Sequence, residues 1–101
     1  MKITNLKIRK LYASGNLRAV VSITFDDCFV IHDIKIIEHM EKLFIVMPSK
    51  KKPDGAYRDI AHPINSEFRT IIEEAVMEEY NKRLAEAEND ESLFTPHGNE
   101  E

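Results

Sequence analysis

The chain has 101 residues, 43% of them hydrophobic, with one cysteine and a formal net charge of -4, which suits one small domain whose single core would gain from pairing with a second copy. No apolar run is long enough to span a bilayer and residues 1–10 alternate charged with apolar side chains instead of showing a secretory pattern, so the expectation is a cytoplasmic protein with no membrane association. The negative sum argues against a nucleic-acid partner only until it is divided: residues 1–65 carry 11 Lys and Arg against 7 Asp and Glu, while residues 66–101 carry 3 against 11, leaving a basic first part and an acidic second.

Residues 1–12 read as a first strand, with Ala13-Ser14-Gly15-Asn16 as the turn after it. The second strand is the clearest: Leu17, Ala19, Val21, Ile23 and Phe25 alternate with Arg18, Val20, Ser22, Thr24 and Asp26, the period of a sheet with one buried face. Arg18 and Ser22 are expected on the wetter face, near Lys7, Arg9 or Lys10. Asp26-Asp27 then turns the chain into a third strand over 29–37, too apolar on both faces to be half-buried; one face would meet a helix and the other a second protomer or a covering loop. The single Cys28, bordered by Phe29-Val30-Ile31, reads as a small buried hydrophobe. Glu38 to Lys42 is a connection without special turn chemistry, and 43–47 returns as a fourth strand.

Pro48 cannot donate to a ladder and pushes its predecessor to extended geometry, so that strand ends there. Lys50, Lys51 and Lys52 are expected on a loop, reversed by Pro53-Asp54-Gly55, and 56–61 returns as a fifth strand closed by His62-Pro63. Three adjacent lysines repel one another, which an anionic partner would relieve; equally, they would keep an exposed hairpin soluble. Asn65 or Ser66 caps a helix in which Phe68, Ile71, Ile72, Ala75, Val76, Tyr80 and Leu84 fall at intervals of three and four, with Glu73, Glu74, Glu78, Glu79, Lys82 and Arg83 elsewhere on the cylinder. From Asn89 the apolar spacing stops and an acidic, mobile tail is expected. The fold class is therefore α+β: an antiparallel five-stranded meander followed by one long amphipathic C-terminal helix, with a domain over 1–87 and a tail over 88–101. One sheet edge is protected by the lysines and Pro48, and the other is a candidate dimer seam.

Met47-Pro48-Ser49-Lys50, Pro53-Asp54-Gly55 and Arg58-Asp59-Ile60-Ala61-His62-Pro63-Ile64-Asn65 resemble the signature of the SpoVG septation proteins of bacteria, the stage V sporulation protein G family. Ile3-Thr4-Asn5, Arg18-Ala19, Ile23-Thr24-Phe25-Asp26 and the run from Val30 through His32-Asp33-Ile34 to Ile36 fit the same pattern, so the similarity extends in order from Met1 to Tyr80. The resemblance implies a paired or intertwined homodimer that binds DNA, and in some members RNA, as a regulator of sporulation and septum formation. It attaches no enzymatic chemistry and no cofactor. This chain has lysine where many relatives have arginine in the loop, which weakens planar bidentate recognition.

Catalysis finds little support in the residues. Strand alternation would put His32 and Asp33 on opposite faces, Asp59 is expected to pair with Arg58 or a lysine of the same hairpin and His62 to order the strand-to-helix corner by hydrogen bonding, and Ser49 or Ser66 lacks a nucleophile elbow. Neither a glycine-rich phosphate cradle nor metal-ligand spacing among the histidines is evident. Two readings remain. In the first, Lys50, Lys51, Lys52 and Arg58 form a phosphate-contacting surface, with Arg9, Lys10, Arg18 and Arg69 as further candidates, although Glu67 in the first helical turn would repel an anion there. In the second, the chain is a protein-interaction module negatively regulating septum formation, engaging a division or regulatory partner through its acidic helix or a sheet edge.

Overall fold

The computed structural model describes residues 1–96. Its element order is β1 (Ile3–Leu11), β2 (Leu17–Phe25), β3 (Phe29–His39), β4 (Lys42–Val46), β5 (Ser49–Lys51), β6 (Tyr57–Asp59), the helix α1 (Ser66–Asn89) and a short 3-10 turn, Glu91–Leu93. The first four strands form an antiparallel meander in the order β1-β2-β3-β4, and β5 and β6 form a separate two-stranded ribbon. The class is α+β, but the single five-stranded sheet is corrected to four strands plus a ribbon. Pro48, placed between β4 and β5, lacks the N–H that would extend the ladder, so the chain leaves the sheet and pairs only with itself.

The alternation of β2 holds from Ala19 onward, with Ala19, Val21, Ile23 and Phe25 buried beneath α1, and fails at its first two residues, where Leu17 lies on the open face and Arg18 on the helix side. They join Ile8 and Leu11 of β1, Ile34 and Ile36 of β3, and Met47 in one core. The helix contributes Ile72, Val76, Tyr80 and Ala87 from one stripe, and Phe68 sets its ring 5.8 Å from Phe25. Ile71, expected in that stripe, is exposed. Asn65 is the cap: its side-chain oxygen accepts from the Phe68 amide at 2.7 Å, satisfying one of the donors a helix start leaves open. Beyond the helix, Asp90 accepts from the amide and hydroxyl of Ser92. Thr95 then lies along β1, its amide donating to the Leu11 carbonyl at 2.6 Å and its hydroxyl accepting from the Leu11 amide at 3.0 Å. Of the tail expected to be mobile, residues 97–101 lie outside the described residues.

Two turns have chemistry that the residues conceal. Met40 and Glu41, between the paired His39 and Lys42, both take positive φ, 53° and 65°, as a two-residue primed hairpin requires. The connection at 38–42 is therefore a specific tight turn. Asp26 and Asp27 also take positive φ, and the Cys28 amide closes on the Phe25 carbonyl at 3.0 Å. The Asp26 carboxylate accepts from the Lys2 amide and the Thr4 hydroxyl accepts from the Asp27 amide. Cys28 is thus carried past the sheet's end and is exposed, which corrects its expected burial.

Three register shifts matter most. They fall between Ile8 and Lys10 in the β1-β2 pairing, and between Leu17 and Ala19 and between Val21 and Ile23 in the β2-β3 pairing. Each bulge lets neighbours in sequence escape strict alternation and re-aims side chains.

Candidate nucleic-acid interface

The ribbon holds four of the eight predicted contact residues. Lys50 stands directly opposite Arg58, Lys51 opposite Tyr57, and Ser49 opposite Asp59. Lys50 and Lys51 are therefore strand residues, not loop residues. Pro53-Asp54-Gly55 makes the expected reversal: the Gly55 amide donates to the Lys52 carbonyl at 2.9 Å, Gly55 takes φ 91°, and the Asp54 side chain accepts from the Ala56 amide. A three-residue loop ending in a left-handed residue is a common hairpin closure, and glycine fills that position without strain. Bonds from Lys52 to Ala56 at 2.7 Å and from Ile60 to Pro48 at 2.8 Å extend the ribbon at both ends.

Every residue from Ser49 to Ile60 is exposed. Lys52 reaches the Asp54 carboxylate at 3.9 Å, whereas Lys50, Lys51 and Arg58 make no ion pair among the described residues. Directly opposed like charges destabilise a strand pair, so the Lys50–Arg58 juxtaposition is an unfavourable feature that a phosphate would reverse. Asp59, expected to pair with Arg58 or a lysine, makes no ion pair among the described residues. His62 instead bonds the Pro63 carbonyl through Nδ1 at the corner, 3.0 Å.

The remaining predicted contacts are dispersed. Arg69 pairs with Glu73 one turn along the helix, 3.7 Å. Arg18 donates to Glu38 at 2.5 Å and to the Ala13 carbonyl at 2.9 Å, and it borders the same hollow as Tyr80 and Leu84. The shift between Leu17 and Ala19 has therefore moved Arg18 to the helix side, away from Ser22. Burial pushes the Tyr80 phenol above its ordinary pKa, with the Arg18 guanidinium pulling the other way. Arg9 and Lys10 do lie on the open face, lining a cavity of about 710 Å³ with Ser22, His32, Asp33 and Lys35. Near it, a second cavity of about 780 Å³ runs under the corner, walled by Phe29, Ile31, Ile60, Ile64 and Phe68. Phe29 is 59% exposed and Ile64 91% exposed.

His32 and Asp33 both face the first cavity, contrary to alternation, because the bulge opposite Ser22 holds Asp33 at φ 65°. Ser22 Oγ lies 2.8 Å from His32 Nδ1 and accepts from Arg9 Nε at 3.2 Å. This serine–histidine contact escaped sequence reasoning, since the two residues become neighbours only through the strand pairing. A buried hydroxyl already accepting from a cation is a poor nucleophile, and no carboxylate bonds the His32 ring among the described residues, so the contact reads as a scaffold for Arg9. Among the described residues no group of three or more His, Cys, Asp or Glu side chains could hold a metal ion, and no helix is long and apolar enough to cross a membrane.

The family model described as SpoVG matches residues 1–82. A relative from Caldanaerobacter subterraneus subsp. tengcongensis is 53% identical over 91 residues, covering 90% of this chain and all of its own. One from Caldicellulosiruptor saccharolyticus is 51% identical over 88 residues, 87% of this chain and all of its own. A third, from Clostridioides difficile, is 52% identical over 88 residues, 87% and 96% respectively. Each carries the name "Putative septation protein SpoVG".

Proposed function

This chain belongs to the SpoVG family, and from that premise we propose that it is a nucleic-acid-binding regulator of the septation type. It acts as a homodimer whose ribbon contacts phosphates through Lys50, Lys51, Lys52 and Arg58. The observation that carries this reading is the exposed Lys50–Arg58 pair, two cations held face to face without a counter-ion among the described residues. Two strands of three residues are marginal alone, so a turn and two flanking hydrogen bonds are invested in a structure that buries nothing. Its effect is to present charge.

Pairing of two copies is supported by the β4 edge of the sheet, the edge beside Pro48 and not the opposite one expected as the seam. β4 is an edge strand with Leu43, Phe44 and Val46 exposed, a combination that invites strand addition. A second reading, an interaction module for a division partner with no nucleic-acid contact, is favoured by the apolar cavity beneath Ile60 and Ile64 and leaves the cations as solubilising groups. Salt titrations of binding to a duplex and to a single strand of matched length decide between them. Four contacts per protomer give a dimer a log-log slope of about -7 on duplex DNA, and the Lys50, Lys51, Lys52 triple alanine variant, left with Arg58, one of about -2. Absence of binding at low salt, or equal slopes for the two proteins, would sink the first reading.

A further inference from the structure

The open face of the sheet carries a second cationic site that shares no residue with the ribbon contacts. Arg9 and Lys10 are adjacent, and in a regular strand only one of them could face the cavity. The shift between Ile8 and Lys10 lets both do so. Lys10 is in register with Val20 and Val20 with Lys35, so the two lysines flank one valine with Cα atoms about 10 Å apart, twice the interstrand spacing.

Arg9 is held in advance. Its Nε donates to Ser22 Oγ, a group only 5% exposed, and that oxygen sits 2.8 Å from His32 Nδ1. Arg9 thus anchors through Nε, and its two terminal amino groups are left for an external acceptor. Lys10 and Lys35 make no ion pair among the described residues. Among the described residues Asp33 is the one carboxylate on the wall; Leu17, Val20, Val46, Met47 and Ile60 belong to its apolar part, and Ser49 at the root of the ribbon borders it.

We propose that this cavity binds a nucleoside monophosphate, either free or as the 5′ end of a single strand. Three cations against one carboxylate call for about two negative charges, which a phosphate monoester carries near neutral pH and an internal diester does not. A planar guanidinium and two ammonium groups match its three terminal oxygens. The valines and Leu17 receive the apolar body of the nucleoside, and Asp33 accepts from its ring or exocyclic N–H groups.

The test is an NMR titration of the full ¹⁵N-labelled chain with inorganic phosphate, AMP, and a short single strand with or without a 5′-phosphate. Saturable shifts clustered at Arg9, Lys10, Ser22, His32 and Lys35 are expected with AMP. A matching response to the 5′-phosphorylated strand alone among the oligonucleotides assigns a strand end, and response to AMP only assigns the free nucleotide. Lys10→Ala with Lys35→Ala should weaken AMP binding at least about tenfold, as loss of two charged contacts implies. Arg9→Lys, which keeps charge but loses the fork, should weaken it several-fold, and the ribbon triple alanine variant should leave it unchanged. Shifts that do not saturate, that persist in the two-lysine variant, or that vanish with the ribbon lysines overturn the site. AMP binding no tighter than inorganic phosphate overturns the nucleoside part.

Discussion

Reversing one charge on the ribbon should make it more stable and less able to bind. Lys50 and Arg58 are directly opposed in an antiparallel pair, and two unit charges about 6 Å apart in water interact by about 0.7 kcal/mol. Lys50→Glu turns that repulsion into attraction, a swing of about 1.4 kcal/mol before screening, or about 1 kcal/mol at low salt once side-chain ordering is included. The gain is local, so amide hydrogen exchange is the suitable assay. The amides of Lys52 and Ile60, which donate to Ala56 and Pro48, should exchange about fivefold more slowly in the variant at about 10 mM salt. In about 1 M salt, where the screening length falls to about 3 Å, the difference should disappear. Binding to duplex DNA should fall in the same variant. Unchanged exchange at low salt would show that the two charges do not confront each other, and retained binding would show that the ribbon is not where phosphates sit.

Other perturbations address the scaffold. Ile36, with no exposed surface, should lose about 2–5 kcal/mol on Ile36→Ala in chemical denaturation, since a fully enclosed side chain leaves a cavity. At the β3 bulge, Asp33→Val should destabilise by about 1–2 kcal/mol because a β-branched residue resists positive φ, whereas Asp33→Gly should leave the unfolding midpoint unchanged or higher. The Asp90 carboxyl is held below its ordinary pKa first by the Ser92 hydroxyl and then by the Ser92 amide. Its folded pKa lies under the unfolded one, so its support for the last turn is complete above the unfolded value and lost as pH falls through the folded one. Exchange at the Ser92 amide should accelerate over that acidic window, and Asp90→Ala should abolish the pH response.

What the sequence reveals depends on how local the cause is. The β2 alternation from Ala19 onward, the Asn65 cap and the Pro53-Asp54-Gly55 reversal are each settled within a few residues, and each is found as expected. Pro48 marks the end of a strand, but whether β6 returns to the parent sheet or pairs with β5 alone is decided by the path of the chain after it. The bulges are less accessible still, because each is a relation between two strands and leaves no mark on either one. They move Arg18 to the helix side and bring Arg9, His32 and Asp33 to the open face, so the candidate sites came apart and recombined there. The hairpin at Met40 and Glu41 lacks the glycine or asparagine that announces positive φ, and the exposure of Cys28 follows from the turn before it.

The ribbon is closed by its own turn and meets the rest of the chain through short segments at Pro48 and Ile60, outside the hydrophobic core. Its side chains can therefore be rewritten without disturbing the packing that holds the domain together. A lineage, or an engineer, could vary strength and selectivity there nearly independently of folding.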